Sequence, residues 1–317
     1  MTTRRNFLKN TTMLAAGLGV SPLLSSSPLR SYQKEEVING KVRIAVIGVG
    51  MGCRDLQGAL TDNPWVHCVG MCDVNKVRLE EQLARFKKDF PEQTVSIKAY
   101  TDFREVLANK EIDGVIIATP DHWHPYIFAE ALKAGKAIYV EKPVGNSISE
   151  CNAMMDFQKK YKGVVTTGLW QTSQRYFRAA NEILKSGVLG DVYKVQLWLC
   201  QSTNPRPSVE DSEAPSTLDY DMWLGPAPER PFNNSRFRGW RGFWDYGGGQ
   251  QTDWGVHWID SAFDGLKALG LCDREYPDAV FSTAYKDPAS FNETPSCQTS
   301  IFQYKNFHIA VSYTHLT

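Results

Sequence analysis

Apolar residues along this chain recur in two rhythms. Val42 to Ile47 is a β-rich apolar run, interrupted by Arg43, that stops at Gly48, Gly50 and Gly52. A short run of this kind bounded by turn residues predicts a strand buried on both faces. A second run, WVHCVGMCD, closes on Asp73, and TVSIKAY, DGVIIAT and KAIYVEKP follow. Between them, DFREVLAN and PYIFAEALKAG have helical spacing, and Asp102 is the predicted N-cap of the first. Strands interleaved with helices predict an α/β fold with a doubly wound parallel sheet, whose ligand sits at the carboxyl ends of the strands.

A different pattern occupies DYGGGQQTDWGVHWID. Asp253, His257, Asp260 and Asp264 fall on one face of a predicted helix, and Trp254, Trp258, Ile259 and Ala262 lie round the other side. Residues four apart on a helix stand roughly 5 to 6 Å apart at Cβ. Taken alone, that face is either a solvated acidic stripe or one wall of a site. The three glycines ahead of it favour the wall, because backbone without side chains permits close approach.

Composition narrows the function classes. With 317 residues, 42% hydrophobic, the chain can bury two domains. Lys plus Arg equals Asp plus Glu at 35 each, so no broad electrostatic footprint for nucleic acid or an anionic membrane is present. A small-molecule ligand is expected instead. The seven cysteines include no C-x-x-C pair, and Cys68 and Cys72 read as small buried residues, so neither a disulfide framework nor a zinc site is expected.

Residues 1–36 read as a leader and linker. Arg4 and Arg5, followed by Phe7, Leu8 and Lys9, precede a short apolar run broken by Gly and Pro. A bilayer span needs roughly 20 apolar residues, so this segment predicts an export signal of the twin-arginine type, with an ordinary basic signal or a tail as the other reading. Periplasmic or other exported localisation is expected. No A-x-A cleavage site is evident, which leaves retention as an uncleaved membrane anchor open. The twin-arginine route carries folded proteins, so a cofactor bound beforehand would travel with the chain.

The glycine cluster has its own chemistry. Gly48 would allow a tight turn, and Gly50, with Met51 and Gly52, would bring backbone against a pyrophosphate at a helix N-terminus. Asp73 would accept from adenosine ribose hydroxyls, which predicts NAD rather than NADP. Cys53 replaces the usual third glycine. At later strand ends come Thr119 and Pro120, then Asp121 as a predicted helix cap, with His122 and His124 near the cofactor. His122-x-His124 lacks the further ligands a metal requires. Glu141 and Lys142 precede Pro143, and from the residues alone Lys142 is either solvated or functional.

These stretches together carry a resemblance. AVIGVG, ATPDHWHPYIFAEALKAGKAIYVEKPVGNS, ILKSGVLGDVYKVQLW and WDYGGGQQTDWGVHWID occur in the order seen in the glucose-fructose oxidoreductase and inositol dehydrogenase family, Gfo/Idh/MocA, from about residue 41 to about 270. The resemblance implies a Rossmann domain over 37–165 and an α/β domain with an open, mainly antiparallel sheet over 166–317, often an oligomer interface. It implies that Lys142, Asp253 and His257 are catalytic, and it places Trp170, Gln171 and Arg175 near the nicotinamide. A carbohydrate or cyclitol substrate and a homo-oligomer of the complete chain are expected with it. His257 is the expected base, oriented by Asp253, while Lys142 polarises the forming carbonyl.

Three functions stay open: a dehydrogenase, a glycosidase that acts through transient oxidation with bound NAD, and a cofactor-binding sensor without catalysis, which a Lys142 distant from the nicotinamide would favour. The aromatic and Arg residues of RFRGWRGFWDY form either a stacking and hydrogen-bonding wall for a sugar ring or core. The Pro-rich segment before it is expected as an ordered excursion over the site. VSYTHLT resembles translated adapter read-through, so the second domain is expected to be incomplete.

Overall fold

Burial on both faces is what turns the first apolar runs into sheet. The computed structural model describes residues 41–50, 63, 65–91, 97–199, 207–272 and 276–313. The leader with Arg4 and Arg5, and Met51, Gly52 and Cys53, lie outside the described residues. Val42–Ile47 forms β1, and its Ala45, Val46 and Ile47 are fully enclosed. Val66–Cys72 is β2, Lys98–Tyr100 β3, Gly114–Ile117 β4, Ala137–Val140 β5 and Val165–Thr167 β6. The sheet order is β3-β2-β1-β4-β5-β6. β1 runs parallel to β2 and β4, β2 to β3, and β4 to β5. The order reverses at β1, which creates the crevice between the ends of β1 and β4 where doubly wound sheets bind ligand.

Local sequence fixes the helices of this unit. Helix α1, Lys76–Asp89, is capped by Asn75, whose side chain accepts from the Arg78 N–H, and its Leu79 and Phe86 join Val46, Met71 and Ile116 in the core. Helix α2, Phe103–Ala108, is capped by Asp102, as its sequence predicts. Asp121 does not cap the next helix: a 3₁₀ turn, Asp121–Trp123, intervenes, and α3 runs His124–Lys133. Pro125 in the first turn of α3 has no N–H to cap, so a side-chain acceptor there gains little. Helix α4, Ile148–Tyr161, begins with a full capping box of Ser147 and Glu150.

Contacts divide the described residues into two units. One holds residues up to Val140, Ser147–Thr166 and Glu213–Arg230, and the other holds Glu141–Asn146, Thr167–Ser212 and the chain from Pro231. The Pro-rich excursion therefore contributes Glu213–Arg230 to the first unit. There the Trp223 carbonyl accepts from Trp123 Nε1 at 3.0 Å, and Gly225, at φ +48°, leaves space that the Trp123 ring fills.

The second unit is built on a mixed sheet of Lys194–Leu199 (β7), Ala279–Tyr285 (β8), Cys297–Gln303 (β9) and His308–Tyr313 (β10), in the order β7-β10-β9-β8. β7 and β10 are parallel and the other two pairs antiparallel, the mainly antiparallel sheet that the resemblance implies. The helices Arg175–Lys185 (α5), Gly249–Asp253 (α6) and Gly255–Ala268 (α7) belong to this unit. Leu266, Ile259 and Phe263 of α7 pack with Ile309 and Val311 of β10. Among the described residues no helix is long and apolar enough to cross a membrane.

Gly48 sits at φ +88°, and a Cβ there would lie 2.6 Å from the Ala118 carbonyl oxygen. The expected result for Gly48→Ala is a loss of about 1–3 kcal/mol in urea unfolding, since both the backbone conformation and the contact oppose a side chain. An unchanged midpoint would show that the turn relaxes freely.

Candidate active site

In the second unit, Lys142 follows β5 on the short segment Glu141–Asn146, and its peptide bond to Pro143 is cis. Its ammonium donates to Asp253 twice, to the side-chain Oδ1 and to the backbone carbonyl, both at 2.6 Å. An ammonium has three donors, so one remains for a ligand. The Trp254 ring lies 5.7 Å from the same Nζ.

That carbonyl contact explains why the helix predicted across residues 253–264 is interrupted. The Asp253 carbonyl would ordinarily accept the His257 N–H, four residues on. At the break that carbonyl accepts from Lys142, and the His257 N–H donates to the Trp254 carbonyl at 3.1 Å. The chain thus ends α6 at Asp253 and restarts at Gly255.

The acidic face is not solvated. Asp253, His257 and Asp260 are buried, His257 to 3% exposure, and Asp264 accepts from Asn181 Nδ2 at 2.6 Å. Trp170 meets the His257 ring edge-on at 5.7 Å between centroids, and Trp254 lies at 6.1 Å. The His257 Nδ1 is buried without a hydrogen-bond partner. The expected orienting contact from Asp253 to His257 is absent from the hydrogen bonds of the described residues, and the carboxylate instead meets Lys142 and, at 3.1 Å, Arg241 Nε.

Electrostatics sort the two titratable partners. Burial alone would raise the Asp253 pKa, but the charges of Arg241 and Lys142 outweigh it and hold the carboxyl below its ordinary range. Burial, aided by the Lys142 charge and opposed by that of Asp253, lowers His257 from 6.5 to about 4. Near neutrality the imidazole is therefore uncharged, and it is a weaker proton acceptor than the exposed imidazole the sequence suggests.

The glycine triple packs against the protein itself. A Cβ on Gly247 would lie 3.1 Å from the Arg241 Cα, one on Gly248 would meet Thr252, and Gly249, at φ +70°, would meet Thr294 at 2.8 Å. The naked backbone thus admits the turn that carries Arg241 to Asp253. Arg241 lies in RFRGWRGFWDY, whose aromatic and Arg residues are expected as a sugar wall or as core, but its ion pair with Asp253 is not predicted by the sequence. The signal was the R-G pair five residues ahead of three glycines, a spacing that speaks of close backbone packing once the turn is known. Within RFRGWRGFWDY, Phe243 and Tyr246 are core, while Trp244 is exposed.

In the first unit the candidate cofactor residues gather at strand ends. The Gly48 N–H donates to the Cys72 carbonyl and the Ala118 N–H to the Ile47 carbonyl, both at 2.8 Å, tying β1 between its neighbours. Asp73 accepts from the Val49 N–H at 3.0 Å and the Asn75 N–H at 2.9 Å, and burial raises its pKa against those bonds and the Arg78 charge. Among the described residues, a Cβ on Gly50 would meet Arg78 Nη1 at 3.6 Å, an ordinary contact. Thr119 Oγ1, beside the turn, is buried with no partner. A glycine turn at positive φ, a buried carboxylate and an unsatisfied hydroxyl at the switch point fit a dinucleotide.

The remaining predicted residues are placed differently. His124 Nε2 lies 2.9 Å from the Thr119 carbonyl and His122 Nε2 lies 3.0 Å from the Trp223 carbonyl, so both rings are engaged within the first unit. Pro120 accepts the Trp123 N–H through its carbonyl. Glu141 accepts the Lys142 N–H at 3.1 Å and fills the space beside Gly168. Gln171 is buried with Oε1 unpartnered, Trp170 is 45% exposed, and Arg175 is exposed at the start of α5. Among the described residues no group of three or more His, Cys, Asp or Glu is placed to hold a metal.

A Rossmann sheet with this strand end, and a second α/β unit presenting a half-buried Lys with a buried Asp and His, define the class of two-domain NAD-binding oxidoreductases. The chain belongs to the Gfo/Idh/MocA family. That family's NAD-binding Rossmann fold model matches residues 42–169, and its C-terminal alpha/beta domain model matches residues 178–269.

Among curated proteins the chain is 33% identical to an alpha-N-acetylgalactosaminidase of Tannerella forsythia over 163 residues, 47% of this chain and 34% of that protein. It is 27% identical to a glycosyl hydrolase family 109 protein of Parabacteroides distasonis, over 60% of this chain and 43% of that one. To an inositol 2-dehydrogenase of Salmonella typhimurium it is 24% identical, over 47% and 43%. The matched stretch spans well under half the length of each of these relatives. The WlbA dehydrogenase of Bordetella pertussis, solved with NADH and UDP-GlcNAcA, shares the fold at a TM-score of 0.64 and 17% identity, over 87% of this chain and 73% of that one.

The His257 shift carries a pH signature. The unfolded imidazole takes up its proton near 6.5 and the folded one only near 4. Between those values the unfolded chain binds more protons, so acidification favours unfolding. The contribution is fully present above pH 6.5 and is lost as pH falls towards 4. Urea midpoints measured at pH 7 and pH 5 are expected to differ less in His257→Gln than in the parent, and equal pH slopes would count against the buried neutral imidazole.

Proposed function

We propose that this protein oxidises a secondary alcohol of a sugar or cyclitol and, in reverse, reduces the ketone. The observation that carries the reading is the Lys142 ammonium seated on Asp253 in the same unit as a buried, neutral His257. Gly48, Gly50, Asp73 and Thr119 would hold NAD, which supplies a hydride acceptor. Asp73 favours NAD over NADP, because a 2′-phosphate would face a carboxylate.

The chain's own residues handle the proton and the charge. His257 takes the hydroxyl proton as the C–H bond releases its hydride, so alcohol and NAD⁺ become ketone, NADH and a proton. The third donor of Lys142 stabilises negative charge on the substrate oxygen. Asp253 fixes Lys142 through two bonds, and placement of this kind supplies much of the acceleration. With Asp253 engaged by Lys142 and Arg241, its influence on His257 is by charge.

A second reading is favoured by the curated relatives, which include the Tannerella forsythia alpha-N-acetylgalactosaminidase. In that reading the same oxidation is transient, the hydride returns to the sugar, and a glycosidic bond is cleaved with no net NADH. Sugar turnover followed at 340 nm alongside a reducing-sugar assay separates the two: NADH in proportion to product marks the dehydrogenase, and released sugar without NADH marks the glycosidase. We further propose export through the Arg4–Arg5 leader, for which fractionation of an Arg4→Lys/Arg5→Lys variant is the test.

Lys142→Met is expected to lower turnover by about a hundredfold or more while NAD affinity, followed by fluorescence titration of NADH, changes little. Full turnover in that variant would remove Lys142 from the chemistry.

A further inference from the structure

One cation of the candidate site has no part in the proton transfer proposed above. Lys142 and Arg241 both address the single carboxylate of Asp253, one through Nζ and the other through Nε. Glu141, the neighbouring acid, accepts the Lys142 backbone N–H.

Arg241 is held for a purpose beyond the ion pair. Its guanidinium stacks on Trp240 at 4.2 Å from the ring centroid, and its Nε is pinned to Asp253, so the plane of the group is fixed. Among the described residues neither terminal nitrogen hydrogen-bonds the protein. The Arg241 side chain is 44% exposed where that of Asp253 is 12%, so a solute reaches the cation and not its counterion. Gly247 leaves the backbone beside Arg241 without a covering side chain. A guanidinium with its terminal edge open matches a carboxylate or phosphate with two parallel hydrogen bonds.

We propose that Arg241 is an anion subsite beside the Lys142–Asp253 pair, and that the substrate is a sugar bearing an acidic group. The terminal nitrogens of Arg241 donate to the anion, while Lys142 and His257 meet the reacting hydroxyl. The reacting half of this assignment rests on the function proposed above, and the binding half does not.

Isothermal titration of the full chain with NADH present tests it, using D-glucuronate against D-glucose, D-galacturonate against D-galactose, and D-glucose 6-phosphate. In at least one pairing the anionic sugar is expected to bind about tenfold or more tighter than its neutral counterpart, with the gap narrowing as salt rises. A gap for the uronates assigns a carboxylate, and a gap for the phosphate alone assigns a phosphoryl group. Arg241→Leu is expected to close the gap, and Arg241→Lys to restore part of it, because a point charge lacks the fork.

If Arg241→Leu fails to fold by circular dichroism, Arg241→Gln replaces it. Equal affinities within every pair overturn the subsite, as does a gap that survives the loss of Arg241. Were Arg241 merely positioning Asp253, its removal would weaken both members of a pair alike. An affinity gap with no redox or glycosidic turnover of any of these sugars would sink the proposed reaction and leave the subsite standing.

Discussion

One ammonium organises the second unit. By taking both the backbone carbonyl and the carboxylate of Asp253, Lys142 ends one helix, forces the next to begin two residues later, and sets His257 at the head of the new one. A long, flexible side chain loses considerable rotamer freedom in such a position. Two charge-assisted bonds and a compensated carboxylate offset that cost, and the outcome is a rigid cation with a single donor free. The lowered pKa of His257 follows in part from the same charge, so the structural role and the chemical role of Lys142 are inseparable.

Much of the first unit was legible in the sequence because its signals are local. β1 and the Asp102 cap need only a run of apolar residues or one side chain ahead of a helix, and the predicted and observed elements coincide there. Asp121 shows the limit. Its type suits a cap, yet the following residues tighten into a 3₁₀ turn that packs Trp123 against the Trp223 carbonyl, a partner 100 positions away.

The second unit was harder to read for the same reason. Periodicity put Asp253 and His257 on one helix face, and both are buried, but the interruption at Trp254 comes from a lysine 111 residues earlier in the chain. The glycine triple signalled close approach without saying to what. Its partners, Arg241, Thr252 and Thr294, lie on both sides of it in sequence. For Arg241 the sequence left a sugar wall and core both open, because an arginine among aromatics resembles any packed surface until its carboxylate partner is known.

Asp73 bears on how a loss of cofactor affinity would be understood. Its two oxygens hold the Val49 and Asn75 N–H groups, so this carboxylate staples the glycine turn to the start of α1 before any ligand arrives. Truncating it would slacken the scaffold along with deleting a ribose acceptor. A weakened variant at this position would thus report lost preorganisation as well as lost recognition, and only a comparison of dinucleotides with and without the ribose hydroxyls could apportion the two.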